Sequence, residues 1–136
     1  MSNAMDQYIK HMEFLGYDVV ESDEEGKYVM THETKGSSIV RSNGKGAVFY
    51  AIWALDNYSH SSRSACLEAI NDLNCDSSVG VYALHFGIND QAFLKIGAYY
   101  AGEYDKTSFG YFLDLFSTDT MTRVVQNGTI SFLVTG

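Results

Sequence analysis

Proline is absent from this 136-residue chain. That argues against a proline-rich recognition segment or a stiff extended linker. Cysteine is scarce: Cys66 and Cys75 are the only two. Cys66 falls on the apolar stripe of an expected helix and Cys75 just past its end, so two reduced thiols are expected rather than a disulfide. Positive charge is also short. Nine Lys and Arg stand against 17 Asp and Glu, a formal net charge of −8. Phosphates repel such a surface, so nucleic acid and anionic membranes are expected to be poor partners; a basic or polar protein is an allowed one. No N-terminal run resembles a signal peptide, and no apolar run approaches the roughly 20 residues of a membrane span. The expected location is cytoplasmic.

What the chain has is apolar and aromatic. Hydrophobic residues make up 46% of it, enough to build a core at this length. Ser2-Asn3-Ala4 resemble the scar of a cleaved tag, so residues 1–4 are set apart and 5–136 are read as one domain. Tyr8, Ile9, Met12 and Leu15 recur at helical spacing before Gly16, a C-terminal cap. "YDVVESDEEGKYVMTHE" reads as two strands around an acidic turn, "SSIVRS" as a third, and Asn43-Gly44 as a tight turn. "AVFYAIWAL" is a fourth strand, apolar on both faces: Val48, Tyr50 and Ile52 on one, Phe49, Ala51 and Trp53 on the other. Ser61 or Ser62 can cap the next helix, whose stripe is Cys66, Ala69, Ile70 and Leu73. Strands at about 79–87 and 92–102 follow, joined near Asn89-Asp90. The last helix opens between Asp105 and Ser108, buries Phe109, Phe112, Leu113 and Phe116, and is expected to end at Asn127-Gly128. Residues 129–135 remain as an apolar, β-prone tail.

The order α-β-β-β-β-α-β-β-α, with local hairpins, predicts an α+β fold with helices packed on an antiparallel sheet.

Motifs for chemistry fail on inspection. A calcium loop with Glu21, Asp23 and Glu25 at its first, third and fifth positions would need a glutamate where His32 stands. Around Gly44-Lys45-Gly46, a Walker loop needs glycine at Ile39 and a dinucleotide fingerprint needs it at Phe49. His11, His32, His60 and His85 lie on separate elements without a second ligand at metal spacing. No enzyme, metal or cofactor is expected. The aromatics suit a contact surface instead, since tyrosine rings are rigid and amphipathic. Tyr50, Trp53, Tyr82, Tyr99, Tyr100 and Tyr104 are the partner-binding candidates, the last three close together in "GAYYAGEY".

Asn71 and Asn74 sit where the second helix meets the fifth strand. Asn74 is read as a left-handed C-cap, and Asn71 as bonding to the backbone of the turn beneath it, together a structural clamp on the corner. "AINDLNCDSSVGVYALHF" resembles the N-x-x-N corner of the YbjN family, proposed bacterial sensory-transduction regulators. "LGYDVV" resembles the family's first helix end, "GKYVMTHE" its second strand, and the Phe109–Phe116 helix its closing helix. The resemblance spans about residues 6–120 and implies a fold similar to that of type III secretion chaperones, small acidic proteins that dimerise and bind extended client segments. The family has no established catalytic residues to carry over. The tail at 129–135 departs from the family's usual ending; it could add an edge strand, cover the core or swap between protomers.

Two functions follow as expectations. One is a non-enzymatic, chaperone-like or regulatory protein-binding domain, a homodimer with a protein client, because a strand apolar on both faces needs cover on both. The alternative is a small-molecule sensor with a pocket between sheet and helices lined by Tyr82, His85 and Tyr99, where His85 faces a cleft or the core.

Overall fold

The structure is a computed structural model and describes residues 5–43 and 46–135. The tag-like Ser2-Asn3-Ala4, the Asn43-Gly44 turn and the Gly44-Lys45-Gly46 motif lie wholly or partly outside the described residues.

Helix α1 (Asp6–Phe14) buries Tyr8 and Met12. It stops as expected at Gly16, whose φ is +98°. The Gly16 N–H donates to Glu13 O and the Tyr17 N–H to Met12 O, both at 3.0 Å, the paired bonds of a Schellman cap. Strands β1 (Asp18–Glu21), β2 (Lys27–His32), β3 (Gly36–Asn43) and β4 (Gly46–Ala54) then run as a meander. Helix α2 (Arg63–Asp76) leads to β5 (Val81–Phe86) and β6 (Ala92–Tyr100). The six strands form one antiparallel sheet in the order β1-β2-β3-β4-β6-β5.

Successive side chains of a strand point to opposite faces. One face therefore carries the row Val40–Phe49–Ala98 and, further along, Ala51–Ile96–Tyr82; all six are buried. The helices cover this face. Asp105 caps α3 (Lys106–Ser117), accepting the Ser108 N–H at 2.9 Å. Phe109, Phe112 and Phe116 of α3 bring their rings within 5.2 to 5.8 Å of Phe49.

Three expectations are corrected. The last long helix does not run unbroken to Asn127: a π-helical turn (Thr118–Thr122) separates α3 from the short α4 (Arg123–Gln126). The β-prone tail is helical, α5 (Gly128–Thr135). Asn127 closes α4 as expected, its N–H donating to Arg123 O at 3.1 Å and Val124 O at 3.2 Å, and it also starts α5, accepting the Ile130 N–H at 3.0 Å. Ile130 and Leu133, three apart, bury one helical face, and the Asn57 N–H and side-chain amide bond Leu133 O and Phe132 O. Burial on α2 and β4's end overrides local strand propensity, so the tail covers the core. Finally, Ser59 rather than Ser61 or Ser62 opens the second helical segment: its N–H donates to Ser62 Oγ at 3.4 Å across a short 3₁₀ turn (His60–Ser62). Cys66 is buried and Cys75 exposed, both unpaired.

Candidate functional site on the open sheet face

The second face of the sheet carries no helix among the described residues. Register places Val20, Val29, Ile39, Tyr50, Gly97 and Val81 in one row across all six strands. Val48, Ile52, Phe93 and Tyr99 flank it on β4 and β6. Ile52 is 47% exposed, Tyr99 51%, Val20 65% and Val81 67%, so this is an apolar surface in water rather than a second core. Thus β4 is two-sided as its sequence implies, but only its Ala47–Phe49–Ala51 side is covered.

Charge follows the same division. The strand residues of the open face bring three cations, Lys27, Arg41 and Lys95, against one carboxylate, Asp18, at the edge. Lys27 and Lys95 hold their ammonium groups 5.8 and 5.2 Å from the Tyr50 ring centroid, within cation–π range. The Tyr50 hydroxyl beside it raises the pKa of Lys27. Lys27 also faces Arg41 directly across the β2–β3 ladder.

The six aromatic candidates divide between environments. Tyr50 and Tyr99 share the open face. Tyr82 and Tyr100 are buried on the helix face. Trp53 is half-buried on that side too, its Nε1–H donating to Thr120 O at 2.8 Å. Tyr104 lies beyond β6, where its hydroxyl and His11 Nδ1 are 2.8 Å apart and its ring meets Tyr8 edge to face at 5.3 Å. The pleat splits "GAYYAGEY": Tyr99 points out and Tyr100 in. It also removes the expected ligand pocket, because Tyr82 is on one face of the sheet and Tyr99 with the exposed His85 on the other.

At the α2–β5 corner the two asparagines behave differently from expectation. Asn74 lies inside α2, which runs on to Asp76, and among the described residues Asn89 and Asp90 are the non-glycine ones with positive φ. It therefore does not act as a left-handed cap. Its Oδ1 accepts the Tyr82 N–H at 2.8 Å and its Nδ2 donates to Tyr82 O at 3.0 Å, as a neighbouring strand would. Asn71 is exposed and makes no side-chain hydrogen bond among the described residues. The stronger clamp was missed. Asp119, fully buried in the π-helical turn, accepts the backbone N–H groups of Ser78, Val79 and Gly80 at 2.7 to 3.1 Å and Nε–H of Arg123 at 2.9 Å. Gly80 is required there: a Cβ would stand 2.9 Å from Ile96 and 3.3 Å from the Asp119 carboxylate. Tyr82 completes the corner, its hydroxyl donating to Asp119 O at 2.6 Å; burial, then the Asp119 charge, raises its pKa. The available signal was that Asp119 and Thr120 fall three and four residues after Phe116, where the apolar stripe would continue.

A shallow cleft of about 310 Å³ lies against α1, lined by Gln7, Lys10, His11, Phe14, Tyr104 and Lys106. Among the described residues, no three His, Cys, Asp or Glu side chains are grouped to hold a metal ion, and no helix is long and apolar enough to cross a membrane.

An antiparallel sheet with helices on one side and a free second side defines an α+β sandwich-like domain, and this one has a YbjN-like fold. YbjN from E. coli, a proposed transcription regulator, superposes with a TM-score of 0.64 at 12% identity, over 96% of this chain and 87% of that one. An uncharacterized protein from Methanothermobacter thermautotrophicus gives 0.65 at 7% identity, over 89% and 94%. No family model and no curated protein matches the chain by sequence. At these identities the likeness is one of fold; neither neighbour is described as an enzyme.

Proposed function

We propose that this chain is a non-enzymatic, regulatory or chaperone-like protein-binding domain that engages its partner through the open face of the sheet. The observation that carries the reading is the uncovered apolar row from Val20 to Val81, centred on Tyr50. Burial of apolar area is the main driving force of association, and rigid aromatic and aliphatic side chains on a flat sheet supply it with little ordering cost. The opposite face is occupied by the chain's own helices, so it offers no comparable area.

The test is a photo-crosslinking amino acid placed in the living source cell at Tyr50 and, as control, at Phe14 on α1. The reading expects one protein crosslinked from position 50 and not from 14, whose binding to the purified chain is lost in Ile52→Asp. Equal labelling from both positions, or none from 50, would sink it.

A second reading, a small-molecule sensor, is favoured by one feature. Lys10, His11 and Lys106 converge on the 310 Å³ cleft, a setting for an anionic ligand. Thermal-shift screening of anionic metabolites tests it; stabilisation lost in Lys106→Ala supports it, and no stabilisation by any of them removes it.

A further inference from the structure

The sign of the open face is opposite to that of the molecule. The whole chain carries net −8, yet three cations and one peripheral carboxylate line this face. Lys27 and Arg41 stand directly opposite each other across β2 and β3. Like charges at facing positions destabilise a sheet, and a bridging anion relieves that repulsion. Lys27 has one carboxylate neighbour, Glu24 at 3.8 Å, a long contact open to solvent; Arg41 and Lys95 have none within 4 Å among the described residues. Beside these cations the surface is apolar, and it contains a notch. Gly97 stands in the row between Tyr50 and Val81, one strand in from the β5 edge, and a Cβ built there would meet nothing closer than Phe49 O at 4.0 Å.

We propose that the open face takes an acidic amphipathic segment of a protein partner, one apolar side chain seating over Gly97 while neighbouring Asp or Glu pair with Lys27, Arg41 and Lys95. This rests on the protein-binding reading and adds the chemistry of the partner. A simple reading of net charge favours a basic partner; the local field at the face reverses that choice, because contacts within a Debye length dominate docking. A second copy pressed face to face would set lysine and arginine against lysine and arginine. A nucleic acid strand, long and uniformly charged, would extend past the face onto the acidic body.

The test is a display selection against the full chain, using a charge-unbiased library of about 16-residue peptides, a helical length that spans the roughly 24 Å across six strands. Enriched peptides are expected to pair an apolar stripe with Asp or Glu and to bind more weakly as salt rises. Their affinity should fall roughly tenfold or more in Lys27→Glu/Lys95→Glu, changes at a half-buried and an exposed position of the face. Gly97→Val, which fills the notch without a backbone clash, should fold like the parent and bind several-fold more weakly; should it misfold, the charge variant decides alone. Neutral or basic winners that are lost in Tyr50→Asp would overturn the acidic chemistry and leave the open-face reading standing. Winners indifferent to every face substitution, or no winners, would overturn both. Self-association abolished by Lys27→Glu/Lys95→Glu, or tighter binding of an oligothymidylate than of the best peptide at the same salt, would also overturn the acidic-peptide assignment.

Discussion

Asn74 holds Tyr82 by both ends of its amide, accepting the Tyr82 N–H at 2.8 Å and donating to the Tyr82 carbonyl at 3.0 Å. β5 is an edge strand, and this side chain satisfies a backbone pair that would otherwise face the helix. Asn74→Ala should cost about 1–3 kcal/mol in urea unfolding, since it leaves both groups unpaired. Asn71→Ala, at an exposed position, should stay within about 0.5 kcal/mol. Equal effects at the two positions would contradict the assignment of the clamp to Asn74.

Asp119 organises the same corner from the other side. Asp119→Ala strands three backbone N–H groups and leaves the part-exposed Arg123 guanidinium only the Ser78 hydroxyl at 3.4 Å, and should cost about 3–5 kcal/mol. Asp119→Asn keeps one acceptor oxygen and should fall between alanine and the parent. Hydrogen exchange reports the cause: protection of the Gly80 amide should drop more than that of Ile96 in the neighbouring strand.

The C-terminal helix is a lid on the core. Leu133→Ala should cost about 2–5 kcal/mol through the cavity it leaves. Phe132→Ala, at a residue 62% exposed, should cost little. Proteolysis that nicks the tail without lowering the unfolding midpoint would show that α5 adds nothing to the core.

Two ionisations contribute opposite slopes to stability against pH. The pKa of His11 is lowered, first by burial and then by Lys106. The unfolded chain therefore takes up that proton first, and stability present above the ordinary histidine value near 6.5 declines as pH falls below it. His11→Gln should flatten this acid arm. Tyr17 behaves in the opposite sense. Burial, then Asp114, pushes its pKa up to about 12, so the unfolded chain loses the proton first. Stability should hold up to the ordinary tyrosine value near 10.0 and decline toward 12, and Tyr17→Phe should remove that slope. Urea midpoints across pH and tyrosinate absorbance check both.

The site was partly legible. Alternation in "AVFYAIWAL" marks β4 as two-sided, and Tyr50 and Tyr99 were among the candidates. Period-2 reasoning also separates Tyr99 from Tyr100, yet proximity in sequence suggested one cluster. Lys27, Arg41 and Lys95 could not be joined to Tyr50, because they come from β2, β3 and β6 and meet through register.

The sequence by itself determined the elements, their order through α3, and the core faces of α2 and α3, since each depends on periodicity within ten or so residues. Tertiary structure decided the rest. The apolar tail became a helix because burial outweighs local strand preference. Asn74 became a strand mimic because β5 lies beside it, and Asp119 became the hub of a corner whose N–H groups are some 40 residues away in sequence. Above all, only the assembled sheet brings Lys27, Arg41 and Lys95 of an acidic chain together on one uncovered face, because strand register, which no local pattern encodes, sets them side by side.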